Sequence, residues 1–581
     1  MAEKLLKEHL YGDLLSPETG YKTDFAVGMT YSLGFDAMLT AYLAFGMLDD
    51  VDDDALSTPH LLLKAISESS DKVIVFCNKG GIAVPATIQK AHSLLERNIY
   101  EVFDRKNIHA NFHPKLWLIR EVSKDESGHA LIKLIVTSRN LKFTETIDCI
   151  ACLTGKVRTD VNEKHRPLAD FVMDVAEGSG TTQHKAIKSL VNDLMKVDRF
   201  DVSEPFVDYE FLPYFFYKTL KEQKPNDPKA NKAIIVSPFI TDETLKELLP
   251  KNIKERVLIT RREHVNQEIL DMFDGNVYVC NDELVAQGMD LHAKMYYMES
   301  GRNERYMFLG SANATDSAFN RNAEFLLKLK YNGQNGHRKK FLSELFSENE
   351  EDNKFVQVRC DDLNAKDADA STEEADRTIE KLMKELMCKD SLKAHITHHQ
   401  SGDYSITVTT DKYDKTDSRI FLAPLQKEGS AMTWSKKMEF TDLKAADLSE
   451  FFIISGIEEN GRHLKKIIKI PTTGIPTQER DRAIYKSIVR KNDFYAFIGM
   501  MLTDYPLSYI AGIKTKKETE NGTAEPVDKT EYYGLYESLL RTAASEPDKI
   551  KKIKRVTDNL DKDVVPEEFR KLIRHFAAAI N

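Results

Sequence analysis

The chain has 581 residues, 41% hydrophobic and 9% aromatic, which is enough for about three domains with real cores. Charged residues make up 30% and the net charge is −10, so the molecule as a whole is no nucleic-acid polycation, although a local basic groove is compatible with that total. The six cysteines are scattered, no cleavable signal opens the sequence, and the longest apolar runs, near 37–48 and 494–502, are too short to span a bilayer, so the expectation is a cytoplasmic protein with reduced thiols.

Residues 1–200 alternate strand-like and helical runs, from "YKTDFAVGMTYSL" and "FDAMLTAYLAFGML" through "DKVIVFC" and "FHPKLWLI" to "LIKLIVTS". Such alternation predicts an α/β layer structure. The acidic "DDVDDD" (49–54) predicts a solvated loop. Cys149 and Cys152 form a lone Cys-x-x-Cys on a predicted strand. With no second pair and an odd spacing, they read as buried structural thiols rather than a zinc or redox site.

A segment near 200–230 leads into a second half, 201–345, opened by "KAIIVSPFITDETLKELL" (232–249) as strand then helix. The stretch 347–376 is acidic and poor in apolar residues, so 346–390 reads as a linker or connection with a helix. Period-two alternation follows and predicts a β-rich module over 391–472. His395, His398 and His399 cluster there without an Asp, Glu or Cys companion at ligand spacing, so no metal is assigned to them. From Pro476 the period becomes helical, and 473–581 is predicted to be a helical C-terminal region. That region holds no acid, base or nucleophile cluster and is expected to govern substrate choice or partner assembly, homo-oligomer contacts included, rather than chemistry.

The two halves share a pattern. "HPKLWLI" (113–119) puts His113 and Lys115 two apart at the start of a predicted strand, hence on one face. Alone, His-x-Lys reads as a strand-end rim with the lysine in solvent. It returns in "LHAKMYYM" (291–298) as His292 and Lys294. Upstream lie "KVIVFCNKGG" and "RVLITRREH"; downstream, "LIKLIVTSRNLKF" carries Ser138 and Asn140, and "ERYMFLGSANATDSAF" carries Ser311 and Asn313. A duplicated unit whose copies each offer His, Lys, Ser and Asn predicts one composite site between them.

"HPK…SRN" and "HAK…GSAN" resemble the two signature motifs of the phospholipase D superfamily, over residues 1 to about 340. The family's lipases continue to an aspartate; here those positions hold Arg120 and Glu299, and the retained asparagines resemble the tyrosyl-DNA phosphodiesterase and bacterial nuclease branches. "GMTYSLGFDAML" and "HPKLWLI…SRNLKFTETIDCIACLTG" further resemble a bacterial group of such proteins, which implies nucleic-acid metabolism or anti-phage defence. The resemblance implies two α/β/α halves forming one pseudo-symmetric catalytic unit, His113 as nucleophile and His292 as general acid. It also implies Glu324, eleven residues past Asn313, as the carboxylate that fixes an imidazole, with Asp148, eight past Asn140, as its counterpart.

The residue chemistry agrees with that. Attack on a phosphodiester needs positive charge on the non-bridging oxygens. Lys115 and Lys294 supply it, Asn140 and Asn313 can donate amide hydrogens, and Ser138 and Ser311 can donate or orient. One histidine attacks while the other protonates the leaving oxygen. The expectation is therefore a metal-independent, cofactor-free phosphodiesterase acting on nucleic acid, DNA first. Its rivals are a phospholipase, which wants an apolar acyl groove or interfacial helix, and a non-catalytic nucleic-acid-binding module, against which both intact motifs argue. The basic stretches 463–469, 513–517 and 549–555 offer phosphate contacts or plain solvated faces. Trp117 and Phe143, beside the motifs, are expected in the core.

Overall fold

The computed structural model describes residues 11–45, 59–125, 128–216, 224–249, 253–301, 304–332, 341–342, 345–346, 353–359, 372–389, 391–411, 417–458, 461–489, 494–502, 530–560 and 564–580. The acidic 49–54, most of the stretch 347–376 and the basic 513–517 lie outside them.

Two large sheets carry the duplicated sequence. The first has seven strands in the order Ile99–Val102, Val73–Asn78, Tyr21–Thr30, Leu116–Ser123, Leu131–Thr137, Ile150–Val157, Val197–Asp201. The second has eight, in the order Phe355–Gln357, Val277–Cys280, Glu255–Ile259, Lys232–Val236, Met295–Ser300, Glu304–Gly310, Glu324–Tyr331, Phe206–Tyr214. In each sheet, three parallel strands are followed by antiparallel ones, the first of which directly follows His-x-Lys, and the second sheet adds the antiparallel edge strand Phe355–Gln357. The halves are thus topological copies, a mixed α/β fold.

The sequence explains this economically. "LIKLIVT" is buried at every position, as a central strand packed on both faces must be. Its one charge, Lys133, is neutralised by Glu121 at 2.9 Å. One core lies between the two sheets, joining Leu118 and Leu134 to Met307 and Leu327, and takes in the helices Arg166–Ser179 and His184–Met195.

Three expectations need correction. His-x-Lys does not begin a strand: the strands start at Leu116 and Met295. Pro114 has no N–H, and the N–H groups of His113 and His292 are spent on the opposite half. The connection after residue 200 contains a nine-residue strand, Phe206–Tyr214, paired with Glu324–Tyr331. The acidic stretch contributes Phe355–Gln357 to the edge of the second sheet, an element too short for periodicity to reveal.

Residues 393–473 form two four-stranded sheets, against which the helix Thr372–Lys389 packs. His395 bonds Thr473, His399 bonds Ser405, and His398 stacks on Tyr404. The helices Thr477–Ile488, Phe494–Leu502 and Pro547–Asn559 pack on the helix Pro59–Ser69, Glu567–Ala579 packs on Pro547–Asn559, and all share one core with Ala26, Val75, Trp117 and Ile119. The basic stretches in this region are divided: Lys552 Nζ donates to the Glu68 carbonyl and Lys469 pairs with Glu450, whereas Lys465, Lys551 and Arg555 are exposed. Among the described residues no helix is long and apolar enough to cross a membrane.

Candidate active site

The halves meet along two short parallel pairings. Asp290 and Leu291 pair with Thr146 and Ile147, and Phe112 pairs with Ala323. At each, the histidine N–H donates across the seam: His292 to the Ile147 carbonyl and His113 to the Ala323 carbonyl, both at 2.9 Å. The next residue in each acceptor strand is a carboxylate. His292 Nδ1 therefore lies 2.8 Å from Asp148, and His113 Nδ1 lies 2.8 Å from Glu324. Each imidazole is oriented by a carboxylate from the other half.

Serine completes each carboxylate. Ser138 Oγ donates to Asp148 at 2.6 Å and accepts the Cys149 N–H at 3.0 Å. Ser311 Oγ donates to Glu324 and accepts the Phe325 N–H at 2.9 Å. Both serines are fully buried and committed to the carboxylates rather than open to a substrate. Thr146 Oγ1 on Asp148 and Asn322 Nδ2 on Glu324 hold the remaining oxygens.

Lys115 and Lys294 are almost wholly buried, at 1% and 0% exposure. Each donates to the carbonyl of its own histidine. Burial pushes the Lys294 ammonium down to about 8, against the pull of Asp148 and Glu324. Burial, and then repulsion from Lys294, pushes Lys115 well below its ordinary value. Two neighbouring buried ammoniums are costly unless an anion meets them. Burial also brings both imidazoles down to about 4, although the carboxylates oppose it. Burial would raise Asp148, but hydrogen bonds from His292, Ser138 and Thr146 outweigh it and bring that carboxyl to about 2. Each imidazole thus favours the neutral form, in which it donates Nδ1–H to its carboxyl partner and keeps an Nε2 lone pair.

Asn140 Oδ1 faces the Ser32 N–H at a long 3.4 Å, and Asn313 Oδ1 is buried with no hydrogen-bond partner among the described residues. The loops around them repeat in the two halves. Thr30 Oγ1 accepts the Leu141 N–H and Ser237 Oγ the Ala314 N–H, each at 2.9 Å. Behind the histidines, Asn78 accepts the Phe112 N–H, and Arg261 donates to the Leu291 carbonyl. Tyr31 packs its ring 5.1 Å from that of His113.

Arg120 and Glu299 stand away from this constellation. Arg120 binds Asp24 and Asp193, and Glu299 accepts the Tyr297 hydroxyl. Trp117 is buried, but Phe143 is 55% exposed, because the chain leaves the strand at Thr137 and the loop beyond Leu141 projects outward. Asn78, Thr146, Arg261 and Asn322 carry no signal in the sequence that marks them for the site. Thr146 and Asn322 each lie two residues before a carboxylate the resemblance points to, Asp148 and Glu324. Cys149 and Cys152 are free thiols, and no group of three or more His, Cys, Asp or Glu among the described residues is placed to hold a metal.

No family model matches the chain, and no curated protein matches it. Among solved structures it is similar to yeast tyrosyl-DNA phosphodiesterase, at 12% identity and a TM-score of 0.34 over 55% of this chain and 84% of that one. A histidine mutant of the same yeast enzyme aligns at 11% identity and a TM-score of 0.35, over 56% of this chain and 86% of that one. Likeness at that level carries no weight for function, which is decided by the geometry of the site itself.

Proposed function

We propose that this protein is a phosphodiesterase that cleaves nucleic acid, DNA first, through a phosphohistidine intermediate and without needing a metal ion. The observation that supports it most is the pair of crossed His–carboxylate contacts, His113 with Glu324 and His292 with Asp148, set beside two buried lysines. This arrangement suits one anionic phosphodiester shared by both halves. A bound phosphate relieves the repulsion between Lys115 and Lys294, and its charge draws the proton affinity of His292 up from its value in the unliganded site.

His113 Nε2 attacks phosphorus, forming a P–N bond as the P–O bond to the leaving group breaks. His292, protonated in the complex, gives its Nε2 proton to the leaving oxygen. It then takes a proton from water, and the resulting hydroxide displaces His113. The products are a phosphomonoester and an alcohol. Lys115, Lys294 and the amides of Asn140 and Asn313 hold the non-bridging oxygens as charge builds on them. Glu324 and Asp148 fix the tautomers, and Ser138 and Ser311 fix the carboxylates. Anti-phage defence is the biological setting we favour, with the C-terminal region selecting the nucleic acid. Purified protein incubated with plasmid, single-stranded DNA, RNA and phospholipid, each with and without chelator, tests the reading. Cleavage of phospholipid alone, or of nothing, would overturn it.

A further inference from the structure

The helix Thr372–Lys389 lies far from the His-x-Lys motifs in sequence, yet it reaches the seam beside His113. Lys384 Nζ donates to Asn111 Oδ1 at 2.7 Å. The Asn111 N–H donates to Asn322 Oδ1 at 3.0 Å, Asn322 Nδ2 donates to Glu324 Oε1 at 3.1 Å, and Glu324 Oε2 meets His113 Nδ1 at 2.8 Å. An unbroken chain of polar contacts therefore runs from the C-terminal region to the imidazole.

The helix is firmly seated. Met383, Leu386 and Met387 enter the core of the β-rich module. Met387 also abuts Gly80, where an added Cβ would come within 2.7 Å of its Sδ and the backbone has φ 68°. Only glycine admits the helix at that turn. The same turn follows Asn78, which accepts the Phe112 N–H, so the helix braces the His113 segment from two sides. The His292 side is built differently. There Thr146 bonds Asp148 as its counterpart Asn322 bonds Glu324, but Asp290, the counterpart of Asn111, pairs with Arg261 at 2.8 Å. The residue two before His292 is thus held from within the second half, and the one two before His113 from the C-terminal region.

We propose that Lys384 is a positioning residue for the His113–Glu324 pair, so that the C-terminal region takes part in aligning the nucleophile. This rests on the phosphodiesterase reading. The ammonium fixes the Asn111 amide and with it the backbone of residues 111–113. Asn322 is then committed through its oxygen to the Asn111 N–H, which turns its amide hydrogens toward Glu324. With both carboxylate oxygens held, the Nδ1–H of His113 has one orientation and Nε2 one direction of attack.

The test uses the full-length chain and bis(p-nitrophenyl) phosphate, with Lys384→Met, Lys384→Arg and, as a control, Lys381→Met on an exposed position of the same helix. Lys384→Met should lower kcat about 10- to 100-fold with KM changed less than about twofold, since small misalignments of a reacting group cost that much. Lys384→Arg, which keeps a donor and charge, should recover most of the loss, and Lys381→Met should match wild type. Hydrogen–deuterium exchange at the peptide spanning residues 111–116 should quicken in Lys384→Met alone. Unchanged kcat, or a change confined to KM, would overturn the role. Should wild type hydrolyse nothing, the functional reading has failed, and exchange still decides the clamp: an unaltered 111–116 peptide in Lys384→Met overturns it regardless of activity.

Discussion

Glu324 lies 2.8 Å from the imidazole of His113, which belongs to the other half of the chain, 211 residues earlier. The reciprocal contact joins His292 to Asp148 across 144 residues. Neither half holds a complete histidine–carboxylate unit, so on the proposed mechanism neither half alone should be active.

Glu324→Gln tests that dependence. The amide removes the charge and presents a donor where Ser311, Asn322 and His113 all donate. It should lower kcat about 10²- to 10⁴-fold, in the range seen when an imidazole loses its orienting carboxylate. KM should change little, because Glu324 is fully buried and cannot touch substrate. Steady-state kinetics on a small activated diester measure both. A loss confined to KM would mean that Glu324 acts on binding.

The pH profile should lie toward acid. In the unliganded site burial brings both imidazoles to about 4, so the form with one proton on the pair becomes scarcer as pH rises above that value. kcat/KM should therefore fall across the neutral range. Lys294, lowered to about 8, loses its charge as pH rises through that value, so a second decline should begin there. A profile that climbs steadily from pH 6 to 9 would contradict both assignments.

The C-terminal helices should prove integral to stability. Phe497 is fully buried in the core that also holds Trp117. Phe497→Ala should cost about 3–5 kcal/mol. In a Trp434→Phe background the fluorescence of Trp117 should report the same lowered urea midpoint as circular dichroism. A chain ending near residue 345 would bare the helix Pro59–Ser69 and part of the core that holds Trp117, and should aggregate. Two separate transitions, with Trp117 unaffected by Phe497→Ala, would show that the helices are a detachable unit.

Chelation should leave cleavage intact. On the proposed mechanism Lys115 and Lys294 supply the positive charge that the phosphate needs. Activity abolished by EDTA and restored by Mg²⁺ or Mn²⁺ would show that these charges are insufficient.

Much of the site is legible in the sequence. The duplication shows itself because each motif is compact: His and Lys two apart, Ser and Asn two apart, with apolar strands around them. Glu324 and Asp148 are reachable through the resemblance, which implies a carboxylate after each asparagine. The crossing of the pairs is not, because it depends on two short seams, Ile147 with Leu291 and Ala323 with Phe112, whose residues carry no distinctive side-chain pattern. The serines are expected to donate or to orient, and spacing does not say which; in the fold each holds a carboxylate. Phe143 is expected in the core and lies exposed, because hydrophobicity alone does not tell a loop tip from a core. Asn111 and Lys384 stay hidden because their partners are supplied by distant segments.

The identity of the nucleophile offers the most direct measurement. His292→Ala retains the attacking imidazole but lacks the group that activates water, so with a good leaving group it should accumulate a protein–substrate adduct with the acid lability of a phosphoramidate. Mass spectrometry should place the added phosphoryl group on the peptide containing His113, and His113→Ala should neither turn over nor carry an adduct. An adduct on the peptide containing His292 would exchange the two roles. Cleavage at near wild-type rates by both variants, with no adduct on either, would contradict the account.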